Sequence, residues 1–389
     1  MHFASKSLPD RPEVAGRFGI WSSDFSLVNG QAIVTARAAG LLSKVATDLF
    51  IYRGPGFRML WTWLGAGLRL LWRSWFGRLD TLYMVCSRSN IGFMRDLPAY
   101  VSGATGPRMV IHVHGSDIVD MFRRPVIGPL ARALVRQSEL IVPSQHLVQP
   151  LHDIGIARVH VCENFVGEAP NDRPVPPSPE LPQAAPGLRV LWNSNVLASK
   201  GFFELADAVA SMHGRGLAVR LVALGSPLAD AEMSLAQCRS RLTALGQHDW
   251  FDYRGPVDRS ASTALLDWAE VVCLPSRYSS ECQPLALIEA MCAGRRLVVS
   301  GSPALRATVG DYPCTFVASV SAQSIAAALE EEMRSPAATT PMGLAAQRAR
   351  ERFSARRFDE QMSVILGIPW SPSTARATEA IAAPSDATQ

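Results

Sequence analysis

The sequence predicts an α/β protein of two domains, each built on a parallel sheet, and three observations carry that expectation. Short apolar runs rich in β-branched residues alternate with stretches of helical periodicity, the rhythm of successive βα units. Pro170 to Pro186 contains seven prolines in seventeen residues. Prolines remove backbone donors and stiffen a chain, so no sheet continues through this stretch and it reads as a linker. Charge also changes sign across it: residues 1–165 carry 18 basic and 11 acidic side chains, net +7, against 20 and 23, net −3, in the remainder. The expected division is residues 1–168, a linker over 169–187, a second domain over 188–342, a terminal helix over 343–368 and a small, polar, disordered tail over 369–389.

With 389 residues the chain can bury two cores, and its 48% hydrophobic and 19% charged residues are those of a globular protein. Seven scattered cysteines without a C-x-x-C read as reduced thiols rather than disulfides or a zinc site. The first residues lack the apolar core of a signal peptide, and no run of about 18 uncharged apolar residues occurs. A cytoplasmic protein is expected, without a nucleic-acid partner. The cationic first half suits an anionic partner such as a membrane or a diphosphate-linked acceptor, and equally suits plain solubility. Only Lys6, Lys44 and Lys200 among the 38 basic residues are lysines, so a lysine in a binding loop stands out.

In order, RFGIW (17–21) is the first strand, and a helix follows from about Gln31 to Ser43. Asn29 and Gly30 form the turn between them. A glycine there lets backbone N–H groups approach a ligand, although a plain turn glycine would look the same. Asp48 to Tyr52 is the second strand. Residues 57–78 then combine Trp61, Trp63, Trp72 and Trp75 with Arg58, Arg69, Arg73 and Arg78. That composition fits a helix lying at a lipid interface, or a packed helix using large side chains. Thr81 to Cys86 and Met109 to His114 are the next strands, with His112 and His114 on one face and His114 at the strand end, where α/β chemistry is placed. Asp117 fixes that loop or caps the next helix. A helix near Gly128 to Gln137, a strand-turn-helix in LIVPSQHLVQPL, and a strand from Val159 to Asn164 close the domain.

The second domain opens with a strand at Leu188 to Asn193, a loop, and a helix beginning at Gly201 and Phe202. Lys200 precedes that helix, and a mobile ammonium at a helix start suits a diphosphate. Val219 to Leu224, Phe251 to Arg254 and Val271 to Leu274 continue the strand pattern. LVVS, TFVA and helices at Ala322 to Arg334 and Gly343 to Leu366 complete it.

Val271 to Gly294 is the most informative stretch: a buried-strand run, Pro275 and Ser276, a polar loop, then a helix with Pro284 in its first position, Leu285, Ile288 and Cys292 at helical spacing, and Gly294 at its close. The N–H groups from Gln283 to Ala286 attract anions. Glu281 and Glu289 frame the helix start, and a carboxylate can accept two hydroxyls of a sugar or a ribose. One segment could hold a nucleotide sugar at several points.

With Pro275 and Ser276, Glu281, Pro284, then Glu289, Ala290 and Met291, and finally Gly294 in this order, the segment resembles the donor-site signature of retaining glycosyltransferase family 4. The resemblance is specific over residues 271–294, moderately so over 193–201, and extends over most of the chain by order of elements. It implies the GT-B fold, two Rossmann-like doubly wound domains facing across a cleft, with the last helix returning to the first domain through Phe353, Phe358, Met362 and Ile365. It implies transfer of a sugar, with retention, from a GDP or UDP sugar to a hydroxyl of a glycan or polyprenyl-diphosphate-linked acceptor. Bacterial polysaccharide synthesis, on the inner face of the cell membrane, is the expected setting. By resemblance Glu281 and the backbone of Cys282, Gln283, Pro284 and Leu285 hold the donor sugar and diphosphate, and Glu289 the ribose. Lys200 and Gly30 lie near the diphosphate, Arg254 near the base, and His114 beside the transferred sugar. The family's loop arginine is replaced by Asn195. No Asp-x-Asp occurs, so no metal is expected, nor any cofactor beyond the nucleotide sugar. Neither G-x-G-x-x-G nor G-x-x-x-x-G-K-[ST] is present, against a dehydrogenase or a P-loop ATPase. A non-catalytic nucleotide-sugar-binding scaffold and a sugar-nucleotide epimerase remain the alternatives.

Overall fold

The computed structural model describes residues 17–23, 30–42, 47–54, 56–167, 187–334 and 339–369. Asn29, the proline-rich linker and the tail beyond Pro369 lie outside the described residues. The first domain runs β1 (Phe18–Ser23), α1 (Gly30–Leu42), β2 (Thr47–Tyr52), α2 (Gly56–Trp75), β3 (Thr81–Val85), α3 (Asn90–Thr105) and β4 (Arg108–His112). It continues with α4 (Ile118–Arg123), α5 (Ile127–Val135), β5 (Glu139–Val142), α6 (Val148–Asp153) and β6 (Val159–Val161). The second runs β7 (Leu188–Asn193), α7 (Phe202–Gly214), β8 (Val219–Leu224), α8 (Leu235–Leu245), β9 (Phe251–Gly255), α9 (Arg259–Trp268) and β10 (Val271–Leu274). Then come α10 (Leu285–Cys292), β11 (Arg296–Ser300), α11 (Pro303–Val309), β12 (Thr315–Val317), α12 (Ala322–Arg334), α13 (Thr339–Arg352) and α14 (Ala355–Leu366).

Each domain holds one six-stranded sheet, ordered β2-β1-β3-β4-β5-β6 and β12-β11-β10-β7-β8-β9, with every pairing parallel. Parallel strands are covered on both faces, which is why β10 and β11 read as continuous apolar runs and are buried. Chain order reverses between β1 and β3 in the first sheet and between β7 and β10 in the second. Ligands of doubly wound sheets bind outside the carboxyl ends of strands at such points. The doubly wound, two-domain α/β expectation holds.

Several elements differ from the sequence expectation. α3 was not anticipated: Ser89 caps it by accepting from Gly92 N at 3.0 Å, and Pro98 sits inside it against Gly67 of α2. β4 stops at His112, so His114 lies two residues beyond the strand. Gly30 is the first residue of α1 rather than part of a turn before it. Pro284 is the N-cap of α10, not its first helical residue, because its ψ of 123° is extended. Gly294, at φ +71°, closes α10 as expected; the N–H of Gly294 and of Arg295 donate back to Met291 and Ala290.

The single helix expected over 343–368 is broken at Phe353 and Ser354. Val166 N donates to Phe353 O at 3.0 Å, which draws the chain away from helical geometry, and Ser354 caps α14 by accepting from Arg357 N. The break gives the two halves different partners. α13 packs on α10, and Phe353 joins the core of the second domain, whereas Phe358, Met362 and Leu366 of α14 pack with Val34, Ala38 and Tyr83 of the first. Phe353 is therefore not on the apolar face that Phe358 and Met362 form. Arg37 clamps the crossing helix with a two-pronged bond to buried Asp359, at 2.7 and 2.8 Å.

Candidate active site

The loops leaving β7 and β10 meet at the reversal point of the second sheet, and backbone contacts set their distance. Arg277 N donates to Ser199 O at 2.9 Å, and Ser199 N donates to Asp230 at 2.8 Å. Gly201 caps the start of α7 at φ +80°, and a Cβ there would collide with Pro275 O, so any side chain would be both strained and blocked. Lys200, one residue earlier, is thereby delivered beside the β10 loop. Its ammonium lies 3.3 Å from Glu281 Oε2 and 3.0 Å from Ser194 Oγ, and 5.8 Å from the centre of the Tyr278 ring. Ser276 Oγ accepts from Tyr278 N and donates to the same Glu281 oxygen at 3.2 Å. Two serines from the two loops thus hold the pair.

Glu289 projects from α10 toward the end of β7, where Asn193 Nδ2 donates to its Oε2 at 2.9 Å. Burial raises its carboxyl above the ordinary range, and the Asn193 bond and the Arg259 charge oppose that rise. The first turn of α10 leaves N–H groups of Leu285 and Ala286 without intrahelical partners.

From the first domain, the loop after β4 closes on this region. Ser116 N donates to Ser280 O at 3.4 Å, and Ser116 Oγ donates to Glu281 O. Because that hydroxyl has one proton, His146 Nε2, 2.9 Å away, donates to it, and His146 Nδ1 accepts from Ser144. His114 is half-buried, but its Nε2 is fully enclosed and has no hydrogen-bond partner among the described residues. Burial, then the nearby His112 and Arg88, hold its imidazole well below the usual range, so it is neutral at physiological pH. His112, its ring 4.2 Å away and its Nδ1 2.7 Å from Tyr83 OH, is pushed by burial to about 3. Arg88 lies against Gly115, where a Cβ would overlap its guanidinium, and bonds Asp117 at 2.5 Å. Asp117 is the N-cap of α4 by position but makes no side-chain cap bond.

The expected site residues divide into two groups. Lys200, Glu281 and Glu289 come together with the start of α10, and His114 lies two residues before Ser116, which bonds the Glu281 carbonyl. Others are engaged differently. Cys282 is buried against the first domain's core, its thiol pushed up to about 12 by burial. Gln283 staples the domains: its Oε1 accepts from Asn164 N at 2.6 Å, its carbonyl accepts from Asn164 Nδ2, and its Nε2 donates to Glu163, which Arg352 clamps. Asn195 is exposed and accepts from Ser226 N. Arg254, on the edge strand β9, is paired with Asp252 at 2.8 Å. Ser194, Asn193, Ser116 and Arg88 carried no sequence signal, since their partners are remote in the chain. Among the described residues no group of three or more His, Cys, Asp or Glu is set to hold a metal ion. A small hollow of about 50 Å³ beside α13, lined by Met291, Tyr312 and Arg352 among others, is lined by none of the candidate residues.

Residues 187–334 match the family model described as glycosyl transferases group 1. No curated protein matches the chain. Among solved structures, Anabaena Alr3699/HepE in complex with UDP and glucose is similar at TM-score 0.65 and 15% identity, covering 90% of this chain and 99% of that one. The sucrose-phosphate synthase of Thermosynechococcus elongatus gives 0.67 and 15%, covering 90% and 98%. A trehalose-6-phosphate structure from E. coli bound with UDP-2-fluoro glucose gives 0.60 and 11%, with the same coverage of 90% and 98%. The domain match and the shared fold support a glycosyltransferase of GT-B architecture.

Proposed function

We propose that this protein is a retaining glycosyltransferase of family 4. Its donor is a nucleoside-diphosphate sugar, with UDP preferred over GDP on the strength of the UDP-bound neighbours, and its acceptor a hydroxyl of a glycan or polyprenyl-diphosphate-linked saccharide. Bacterial polysaccharide synthesis on the inner face of the membrane is the setting. The observation that carries this reading is the Lys200 and Glu281 pair, 3.3 Å apart at the reversal point of the second sheet, on a loop that the first domain touches through Ser116.

The barrier to transfer lies in building positive character at the anomeric carbon while a diphosphate departs. Lys200 and the N–H groups at the start of α10 stabilise the leaving charge, preorganised and shielded from water, and the reaction is proposed to need no metal. Glu281 accepts sugar hydroxyls, Glu289 accepts the ribose diol, and neutral His114 bonds a hydroxyl of the transferred sugar. The anomeric bond to the diphosphate breaks as the acceptor oxygen bonds to the same face, and the acceptor's proton passes to the departing phosphate oxygen. By the same resemblance Asn29 and Gly30 are assigned to the diphosphate and Arg254 to the base. Asn195 supplies no positive charge; Arg88, whose charge reaches His114 and Cys282, offers one from the opposite domain.

Incubation with UDP and GDP sugars plus a lipid-linked saccharide, read by nucleoside-diphosphate release and by NMR of the product's anomeric coupling, tests the assignment. Release with a retained anomer is expected. An inverted product would remove the family assignment, isomerised sugar without acceptor would favour the epimerase, and binding without turnover would favour the scaffold.

A further inference from the structure

α2 has two apolar faces, and the protein covers one. Ala66, Gly67 and Leu70 pack inward, while Phe57, Trp61, Leu64, Leu68, Trp72 and Trp75 recur at helical spacing on the opposite face. That face is open: Phe57 is 71%, Trp61 62%, Leu68 69% and Trp75 61% exposed. Folded monomers rarely leave so continuous an apolar surface uncovered without a partner for it. The stripe follows all twenty residues of the helix, roughly 30 Å, a length that a flat surface covers more readily than a pocket.

The charge beside it names the partner. From Arg53 to Leu79 the chain carries Arg53, Arg58, Arg69, Arg73 and Arg78 and no acidic residue. Arg73 pairs with Asp48, and Arg78 lies 4.5 Å over the Trp72 ring, at the edge of the apolar face. Tryptophan over an apolar stripe with arginine along its flank suits the boundary between acyl chains and anionic headgroups. A second copy of this chain would instead bring arginine against arginine.

The stripe also reaches the candidate site. Trp63 Nε1 donates to Arg95 O at 2.6 Å and Trp75 Nε1 to Thr105 Oγ1 at 3.1 Å, so α2 and α3 run side by side in the same direction. Phe57 and Trp61 therefore lie at the end of α2 next to the first turn of α3, where Ile91 is 85% exposed. That turn follows directly on Arg88.

We propose that the outer face of α2, extended by Ile91 and Met94, docks on an anionic lipid bilayer and sets the rim of the cleft at the membrane surface, where a lipid-linked acceptor would reach Arg88 and His114. The acceptor statement rests on the function proposed above; the docking rests on the surface alone. The full-length protein is sedimented with phosphatidylcholine vesicles and with vesicles of phosphatidylcholine and phosphatidylglycerol, and its thermal shift with UDP is measured alongside. Binding to the anionic vesicles is expected, weakened by salt. The Trp61→Ser, Leu68→Ser variant should lose at least about tenfold in partition and Arg58→Glu about fivefold, both keeping the wild-type UDP shift. Equal partition of wild type and variants, indifference to phosphatidylglycerol, or a wild-type dimer that the double variant makes monomeric would overturn the docking. Vesicle binding without any UDP shift would leave the docking standing and remove the preference for a UDP donor.

Discussion

Lys200 Nζ lies 3.3 Å from Glu281 Oε2, with side-chain exposures of only 14% and 10%, and each partner has a serine hydroxyl as well. A pair this sheltered gains little net stability, because desolvation offsets the attraction, but removing one member leaves the other charge uncompensated. Glu281→Ala and Lys200→Ala should each cost up to about 3 kcal/mol in denaturant melts, and the double variant less than their sum. Additive costs would show the two groups acting independently. In transfer assays Lys200→Ala should lower kcat by about a hundredfold or more, as expected for a group that meets charge developing in the transition state.

Glu289 is a carboxyl raised by burial, so its proton is held more tightly in the folded than in the unfolded chain. Its contribution to stability is present below the ordinary carboxylate range and is lost as pH rises through that range to the folded value. Nucleotide binding runs the other way, since only the ionised form accepts both hydroxyls of a ribose. UDP affinity should weaken as pH falls through the raised value, and Glu289→Gln should bind weakly with a flat profile. Calorimetric titration between pH 4 and 8 checks both slopes.

Gln283 spends its side chain between the domains, on Asn164 and Glu163. Gln283→Ala leaves the buried Asn164 N–H without its acceptor, a loss of about 1–3 kcal/mol. The same change loosens the contact between β6 and α10, so donor KM should rise more than kcat falls. A kcat loss with KM unchanged would instead place Gln283 in the chemical step.

The strands were legible because burial on both faces leaves continuous runs such as VVCL and LVVS, and α12 was legible because its period is undisturbed. α3 was not, since Gly92, Pro98 and Gly103 dilute its pattern and its start depends on one serine cap. The break between α13 and α14 has no glycine or proline to announce it; it is imposed by Val166, nearly two hundred residues away. At the site, Glu281, Glu289 and Lys200 stand out by spacing and rarity. The bond from Ser116 to Glu281 spans 165 residues and the one from Asn193 to Glu289 spans 96, and periodicity carries no trace of either.

His112 and His114 place two neutral imidazoles in the first domain, the former at about 3 and the latter well below the usual range, both mainly through burial. In the unfolded chain each titrates near 6.5. Both folded values are depressed, so the unfolded state binds more protons as acidity increases, and the stability present above the imidazole range is lost as pH falls below it. With both residues contributing, stability should slope downward as pH falls below the imidazole range, before carboxylates add to it. Replacing His112 with glutamine, which can still bond Tyr83, should reduce that slope in urea melts at successive pH values. An unchanged slope would show that the pair is already protonated in the folded protein. The same burial removes His114 from the activity profile: kcat/KM should show no inflection from it between pH 5 and 8, while His114→Phe, which cannot bond a sugar hydroxyl, should lose about a hundredfold in transfer.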